Sequence, residues 1–173
     1  MELSPNAIQI RQATVDDIPQ LCRLWQNLED EKTVHPFGGD CPTATAERIH
    51  ELVSYSVRSD KAIALIAENH PASGDNPTVL GTVAASLYEK PTVLLPNVAV
   101  VYSLWIIPEF RRLGIARGLV DFLESELREM GAQSLQVAWD SPNTPAATLW
   151  QQLGYTPYEV IASKNLESPP ERS

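Results

Sequence analysis

The sequence predicts an α/β (α+β) fold in which helices flank a mixed, mostly antiparallel central sheet. Three β-rich runs follow one another at residues 62–67, 79–88 and 98–107, and strands joined by short connections pair antiparallel. The third run leads through a basic turn and an amphipathic helix into a further strand at 134–139. Such a strand–helix–strand crossover predicts a parallel pair. The expected element order is β-α-α-β-β-β-α-β-α-β.

The N-terminal third is predicted to supply one strand and two helices. Ile8 and Ile10 indicate the strand, and the residues from Thr14 to Asp17 are typical of a helix start. Two stripes at helical spacing predict the helices. They are Ile18, Leu21, Cys22, Trp25 and Leu28, and, within about 43–59, Ile49, Leu52, Val53, Ser56 and Val57. A loop rich in proline and glycine separates the two helices at 32–42.

The C-terminal half is predicted to contain two more helices and two more strands. Apolar residues recur at helical spacing through 114–130, and Gly131 is a natural residue to end that helix. A short helix follows at 143–153, and a last strand is expected at 155–162. One domain is therefore expected over residues 1–163, with a flexible tail at 164–173.

Composition limits the classes of partner. The 173 residues suit a single domain, and a net charge of −9 disfavours nucleic acid, whose phosphates an acidic surface repels. Apolar runs are too short to span a membrane, and the first residues lack the features of a signal peptide, so a cytoplasmic protein without membrane contact is expected. The two cysteines and three histidines lack metal-ligand spacing, which predicts no metal. A homodimer is left open.

One segment of this acidic chain concentrates positive charge. Residues 108–118 carry three arginines against one glutamate, after the strongest β run and at the start of the amphipathic helix. The arginines are Arg111, Arg112 and Arg117. Free N–H groups at a helix start attract anions, and Gly114 and Ala116 are small enough to let a ligand approach the backbone. A phosphate or pyrophosphate site is therefore predicted, the alternative being an ordinary solvated helix start.

A second segment follows in register about twenty-five residues downstream. Asn143 stands after a predicted strand and can cap the helix or bind a ligand that carries an amide. Leu149 and Leu153 have the spacing of packed residues, and Gly154 ends the helix. Taken alone, this segment indicates only a capped helix. Its pairing with the basic turn is what makes it informative.

Together the two segments resemble the motifs of the GNAT family of N-acetyltransferases. Arg111-x-x-Gly114-x-Ala116 resembles the family's acyl-CoA pyrophosphate loop, written Arg/Gln-x-x-Gly-x-Gly/Ala. Residues 143–155 resemble the second cofactor motif, Asn-x-x-Ala-x-x-Leu-Tyr-x-x-x-Gly-Phe. The resemblance covers about residues 8–162 and implies a GNAT-like acyl-CoA N-acyltransferase fold with acetyl-CoA as co-substrate.

The resemblance also implies which residues hold acetyl-CoA. The cofactor would lie where the strand ending at Ile107 splays from the strand ending near Trp139, with the first strand pairing with pantetheine and the turn amides holding the pyrophosphate. The implied residues are Leu104, Ile106, Ile107, Arg111, Arg112, Leu113, Gly114, Ile115, Ala116, Arg117, Asn143 and Trp150. Residues 34–45 occupy the place of the family's acceptor-covering segment.

Three positions depart from the family pattern. Trp150 stands where many members carry a tyrosine that protonates the leaving thiolate, and an indole N–H cannot act as an acid near neutral pH. Tyr102 stands where some members place a glutamate base. A phenol with a reference pKa of about 10 is a poor base at pH 7 but can position a water or the amine. Ala138 stands where relatives that acetylate ribosomal-protein termini carry a glutamate. Tyr102 is therefore the catalytic candidate.

These observations predict an N-acetyltransferase that moves an acetyl or other acyl group from acetyl-CoA to a primary amine. The amine would attack the thioester directly in a ternary complex. The alternative is a non-catalytic acyl-CoA-binding or regulatory module, which the missing tyrosine keeps open. The identity of the amine and the length of the acyl chain are not encoded in any legible motif.

Overall fold

A computed structural model describes residues 8–31, 44–71, 76–89, 97–140 and 143–160 of the chain. The strands are β1 (Ile8–Gln12), β2 (Ala62–Asn69), β3 (Thr78–Glu89), β4 (Asn97–Ile106) and β5 (Ser134–Val137). The helices are α1 (Ile18–Asp30), α2 (Ala46–Arg58), α3 (Ile115–Glu129) and α4 (Thr144–Gln152). Short 3-10 turns at Val15–Asp17 and Pro108–Phe110 precede α1 and the turn into α3.

The five strands form one sheet in chain order, β1-β2-β3-β4-β5. The first three pairs are antiparallel and the β4–β5 pair is parallel. This arrangement confirms the predicted mixed sheet. The parallel pair follows from the connection between its strands. Helix α3 carries the chain back to the end of the sheet at which β4 begins, so β5 runs in the same direction as β4.

Helices cover both faces of this sheet, and each face has its own apolar cluster. On one face the side chains of α3 and Trp150 of α4 pack against residues such as Leu65 of β2. On the other face α1 and α2 pack against the next residue of the same strand, Ile66. Every residue of β2 is consequently buried. Burying an aliphatic side chain of this size stabilises the folded state by roughly 1.5–3 kcal/mol.

The end of α3 shows how local sequence fixes a boundary. Gly131 has a φ of +90° and donates its N–H to Arg128 O at 3.0 Å, while Ala132 donates to Leu127 O at 2.9 Å. These two bonds form a Schellman motif, which satisfies carbonyl groups that the helix leaves open. The predicted helix end at Gly131 is confirmed.

The predicted last strand is not formed in the described part of its range. Residues 155–160 adopt no regular structure, although the Tyr158 hydroxyl accepts a hydrogen bond from Gln136 of β5. The apolar alternation predicts a strand, but a strand needs a partner ladder, which this segment does not make with β5. β5 itself ends at Val137, two residues earlier than expected.

Two predicted segments, the loop at 32–42 and the tail at 164–173, lie outside the described residues. Among the helices that are described, none has the length and apolar character needed to cross a bilayer.

Candidate functional site

The candidate site lies at the end of β4, where the strand loses one of its two neighbours. Parallel pairing with β5 runs from Val98↔Ser134 to Val101↔Val137 and stops there. β4 continues to Ile106 with β3 as its partner. The second half of β4 therefore presents an open strand edge on the β5 side within the described residues. An extended ligand can pair with such an edge.

A β-bulge marks the point where β4 leaves β5. Tyr102 pairs with Ala84 of β3, and Trp105 pairs with Thr82. Two residues of β4, Ser103 and Leu104, thus stand opposite a single residue of β3. Ser103 adopts a left-handed φ of 54°, which is uncommon for a residue other than glycine. The bulge bends the strand and re-aims its backbone.

Hydrogen bonding shows which backbone groups face the open edge. The N–H of Ile107 donates to Leu80 O of β3 at 2.9 Å. Because successive residues of a strand direct their N–H and C=O groups to alternate sides, those of Ile106 face away from β3. By the same alternation Leu104 also faces the open side. Two of the predicted pantetheine-binding residues therefore lie on the edge that lacks a strand partner.

The turn from β4 into α3 has the geometry of an anion site. Arg112 and Gly114 adopt left-handed φ values of 65° and 81°. The first hydrogen bond within α3 runs from Gly118 N–H to Gly114 O at 3.0 Å, so the N–H groups of Ile115, Ala116 and Arg117 precede it. An added Cβ on Gly114 would meet nothing within 4 Å. These amides and the positive end of the α3 dipole therefore border open space.

The rest of this turn is exposed. Leu113, the remaining predicted residue of the pyrophosphate loop, is 54% exposed. Ile115, by contrast, is buried against the sheet. The turn thus anchors the start of α3 through Ile115 and leaves its other residues accessible to a ligand.

The three arginines of the basic turn have different surroundings. Both carboxylate oxygens of Glu31 accept bonds from Arg111 Nη2, at 2.8 and 2.7 Å. Arg117 Nη2 donates to the carbonyl of Gln152 at the end of α4, at 3.3 Å. Arg112 is exposed and has no ion-pair partner among the described residues. Arg111 is thus the one of the three whose charge a carboxylate offsets among the described residues, and Arg112 is the most accessible to a phosphate.

Asn143 occupies the capping position of α4. Its Oδ1 accepts a hydrogen bond from Ala146 N–H at 3.1 Å, which satisfies one of the free amides at the helix start. The capping interpretation of Asn143 is therefore correct. Capping engages the oxygen and leaves the side-chain amide nitrogen as the group that can donate to a ligand.

Trp150 lies in the core between α4, α3 and the sheet, with 4% of its surface exposed. Its ring meets that of Tyr155 edge to face, with centroids 5.0 Å apart. The Tyr155 hydroxyl in turn donates to Glu124 of α3 at 3.3 Å. Burial and the neighbouring carboxylate raise the pKa of Tyr155 well above its ordinary value. Trp150 and Tyr155 therefore join α4 to α3.

Tyr102 faces α1 and α2 rather than α3. Its ring lies edge to face against Trp25 at 5.9 Å, and its hydroxyl lies 2.9 Å from Ser56 Oγ. Ser56 donates its own hydroxyl proton to Leu52 O at 2.7 Å, so Tyr102 is the donor to Ser56. Burial raises the pKa of Tyr102. The phenol is thus protonated at neutral pH, which disfavours a role as a base.

A cleft opens on the same side of the sheet, between α1, α2 and the bulge. It has a volume of about 340 Å³, within the range of small-molecule sites. Its lining comprises Trp25, Glu29, Ala44, Arg48, Ile49, Glu51, Leu52 and Ser103. Arg48 pairs with Glu51 at 3.0 Å. The cleft therefore combines an apolar wall with two carboxylates and one arginine, and it reaches the bulge at Ser103.

Sequence reasoning did not identify three residues that shape this region. Glu31 carries no motif that would link it to Arg111. Ser103 has no local sequence feature that predicts a bulge. Gly81 did offer a signal, because an isolated glycine within a strand often marks a close backbone approach. A Cβ on Gly81 would lie 2.8 Å from the backbone oxygen of Trp105.

No group of three or more histidine, cysteine, aspartate or glutamate side chains in the described ranges is arranged to bind a metal ion. At the open edge of β4 the described residues offer hydrogen bonding by backbone groups and positive charge at a helix start.

Comparison with known proteins places this geometry in a family. The model of the acetyltransferase (GNAT) family matches residues 25–155. The aminoglycoside N-acetyltransferase AAC(6')-Iy, in complex with the bisubstrate analogue CoA-S-monomethyl-acetylneamine, superposes with a TM-score of 0.72 at 17% identity, covering 93% of this chain and 99% of that chain.

Two further solved structures share the fold. A predicted acetyltransferase with acetyl-CoA from Clostridium acetobutylicum has a TM-score of 0.72 at 18% identity, covering 92% of this chain and 96% of that one. Glucosamine-6-phosphate N-acetyltransferase from Arabidopsis thaliana has a TM-score of 0.63 at 18% identity, covering 92% and 99%. The family model and the shared fold lead to one conclusion: the chain belongs to the GNAT family of acetyltransferases.

Proposed function

We propose that this protein transfers an acetyl group from acetyl-CoA to a primary amine within a ternary complex. The observation that carries the proposal is the end of β4, where an unpaired strand edge leads directly into a turn with free helix-start amides. Acetyl-CoA needs both features together, because its pantetheine arm has the amides of an added strand and its pyrophosphate is an anion.

We propose that backbone groups provide most of the contacts to the donor, acetyl-CoA, and that two side chains add to them. Leu104 and the N–H of Ile106 would pair with pantetheine, since the Ile106 oxygen already accepts a hydrogen bond from Arg111 Nε, while Ile107 continues the strand into the turn. The amides that begin α3 would hold the pyrophosphate, with Arg112 adding a charge-assisted contact. Asn143 would donate its side-chain amide to the pantetheine arm. The C. acetobutylicum neighbour, solved with acetyl-CoA, supports a donor of this kind.

The acceptor half is proposed for the cleft between α1 and α2. Ser103 lines this cleft and is the neighbour of Leu104 on the open edge, so an amine held there would lie beside the thioester. The lining carries two carboxylates against one arginine, and this net negative charge favours a substrate that is positively charged, while Trp25 and Leu52 suit an apolar body. The AAC(6')-Iy neighbour, bound to an analogue of both substrates, supports a ternary complex.

In the proposed reaction the ammonium group first gives a proton to water, and the neutral amine nitrogen then attacks the thioester carbonyl. The carbon–sulfur bond breaks as the amide bond forms, the CoA thiolate leaves, and the proton lost by the nitrogen restores the thiol. Backbone N–H groups at the open edge would polarise the carbonyl. Placing the two reactants side by side supplies much of the rate without an acidic side chain at the Trp150 position.

The test is release of the CoA thiol from acetyl-CoA in the presence of a panel of primary amines, with mass detection of the product. The panel should include polyamines, amino acids, aminoglycosides and peptide N-termini, because each presents a different body behind the amine. Thiol released in equal amount with an acetylated amine is the expected result.

Two results would contradict the proposal. Tight binding of acetyl-CoA without thiol release for any amine would favour a non-catalytic acyl-CoA-binding module, a possibility that the tryptophan at position 150 keeps open. Absence of acetyl-CoA binding, measured by titration calorimetry, would remove the donor site itself.

A further inference from the structure

We infer that Arg111 is a positioning residue, which holds the pyrophosphate turn in place and does not itself bind phosphate. This inference rests on the proposed function, since the turn it positions is the one assigned to acetyl-CoA. It reverses the expectation, drawn from the charge of the basic turn, that the Arg111 side chain contacts a phosphate.

Three contacts fix the guanidinium of Arg111. Nε donates to Ile106 O at 2.9 Å, and Nη2 donates to both carboxylate oxygens of Glu31, at 2.8 and 2.7 Å. The guanidinium carbon lies 5.9 Å from the centre of the Trp105 ring, within reach of a cation–π interaction. The side chain is thus held by β4, by the end of α1 and by a buried aromatic ring.

The contact with Ile106 determines where the turn begins. The carbonyl of Ile106 faces the open edge of β4, and Arg111 lies five residues later, at the first position of the turn. Their bond closes the segment between the strand and the turn. It therefore sets the position of the helix-start amides relative to the strand edge, and the two parts of a CoA site must keep that spacing.

The contact with Glu31 removes Arg111 from phosphate binding. The two side chains form an ion pair. The negative charge of Glu31 therefore offsets the attraction between Arg111 and a phosphate bound nearby. Arg111 would have to leave the carboxylate to approach a phosphate. Glu31 also closes α1, so the pair links the donor turn to the helix that lines the acceptor cleft.

The substitution Glu31→Gln distinguishes the two roles, because they predict different changes in the dissociation constant for acetyl-CoA. If Arg111 positions the turn, removing the carboxylate charge loosens the side chain, and the dissociation constant for acetyl-CoA rises about two- to fivefold, the scale of one exposed ion pair. If Arg111 binds phosphate, the substitution frees its charge and acetyl-CoA binds as tightly or more tightly. The measurement is titration calorimetry with acetyl-CoA.

Asp30→Asn is the matched control. Asp30 is the neighbour of Glu31 and accepts a hydrogen bond from Gln26, so its substitution removes the same charge without touching Arg111. The affinity of this variant for acetyl-CoA is expected to equal that of the parent. A change equal to that of Glu31→Gln would overturn the inference, because the effect would then come from charge alone.

Steady-state kinetics distinguish positioning from a general loss of structure. In Glu31→Gln the KM for acetyl-CoA is expected to rise while kcat at saturating acetyl-CoA is retained. In an Arg111→Ala background, Glu31→Gln is expected to have no further effect, since its partner is already gone. An equal loss in both backgrounds would overturn the inference.

The comparison of Glu31→Gln with Asp30→Asn does not require the Arg111→Ala variant to fold. Failure of the inference also differs from failure of the proposed function. A parent protein that does not bind acetyl-CoA contradicts the function. A parent that binds it, together with a Glu31→Gln variant that binds equally well, contradicts only the positioning role.

Discussion

The two halves of β4 differ in their neighbours and in their use. From Val98 to Val101 the strand pairs with β3 on one side and with β5 on the other. From Tyr102 to Ile106 it pairs with β3 alone and contains the bulge at Ser103. The first half is a sheet interior that contributes to the core. In the second half, Leu104 and Ile106 direct their backbone groups to a side without a strand partner, where the Ile106 oxygen accepts from Arg111 Nε.

This difference shows that the candidate site consists of backbone groups that lack a strand partner, and not of reactive side chains. The phenol at position 102 donates to Ser56, and the indole at position 150 is packed in the core. Neither behaves as an exposed acid or base. The features that remain are unpaired backbone groups and the start of α3, which bind and polarise a substrate through preorganised dipoles.

The largest effect is expected from Gly114→Glu, which places charge and bulk where the open half meets the turn. Acetyl-CoA affinity should fall by more than about 100-fold, because a carboxylate would face the pyrophosphate and the left-handed φ of this residue disfavours a side chain. Calorimetry measures the affinity, and thermal unfolding shows whether the fold persists. Gly114→Ala, with the strain but no charge, should lose much less, and an unchanged affinity in Gly114→Glu would contradict the turn assignment.

Gly81→Ala should weaken the support that β3 gives to the open half. Its Cβ would lie 2.5 Å from Ile106 Cδ1 and 2.8 Å from Trp105 O, so β4 must shift. Such overpacking costs about 1–3 kcal/mol of the free energy of unfolding. Thermal unfolding with and without acetyl-CoA measures both stability and binding. A variant with parental stability and affinity would show that β4 can move without loss of the site.

Trp150→Tyr tests whether the position in α4 still faces the sulfur of the donor. If it does, the phenol supplies the acid that the indole lacks, and turnover should hold or rise, despite a stability loss of about 1 kcal/mol from the smaller side chain. Turnover is measured by thiol release with the best amine of the panel. Trp150→Phe provides the control, with the same loss of volume and no hydroxyl. A large fall in turnover for Trp150→Tyr, matched by Trp150→Phe, would show that the indole is needed for packing.

The smallest effect is expected from Tyr102→Phe, at the junction of the two halves. Loss of the bond to Ser56 should cost about 1 kcal/mol of stability, while turnover and its pH dependence remain those of the parent. Because burial raises the pKa of this phenol, it stays protonated as the pH rises through neutrality and cannot shape the pH profile there. A fall in turnover of about 100-fold would instead support the predicted role of Tyr102 in positioning a water or the amine.

Much of the fold could be predicted because its signals are local. The stripes of α1, α2 and α3 repeat at helical spacing, and Gly131 ends α3 where its sequence position indicates. The missing strand at 155–160 has a different cause. Alternation of apolar residues indicates that a segment is able to form a strand. The strand forms only where a neighbouring strand supplies the hydrogen-bond partners.

The sequence by itself determined the mixed sheet, the basic turn at the start of α3 and the family, because helix periodicity, turn residues and motif spacing are written in neighbouring residues. Only the tertiary structure decided where β4 loses β5, which carboxylate holds Arg111 and which hydroxyl engages Tyr102. Glu31 and Arg111 are 80 positions apart, and Ser56 and Tyr102 are 46 apart. Contacts of that separation arise when the whole chain packs, and no local pattern specifies them.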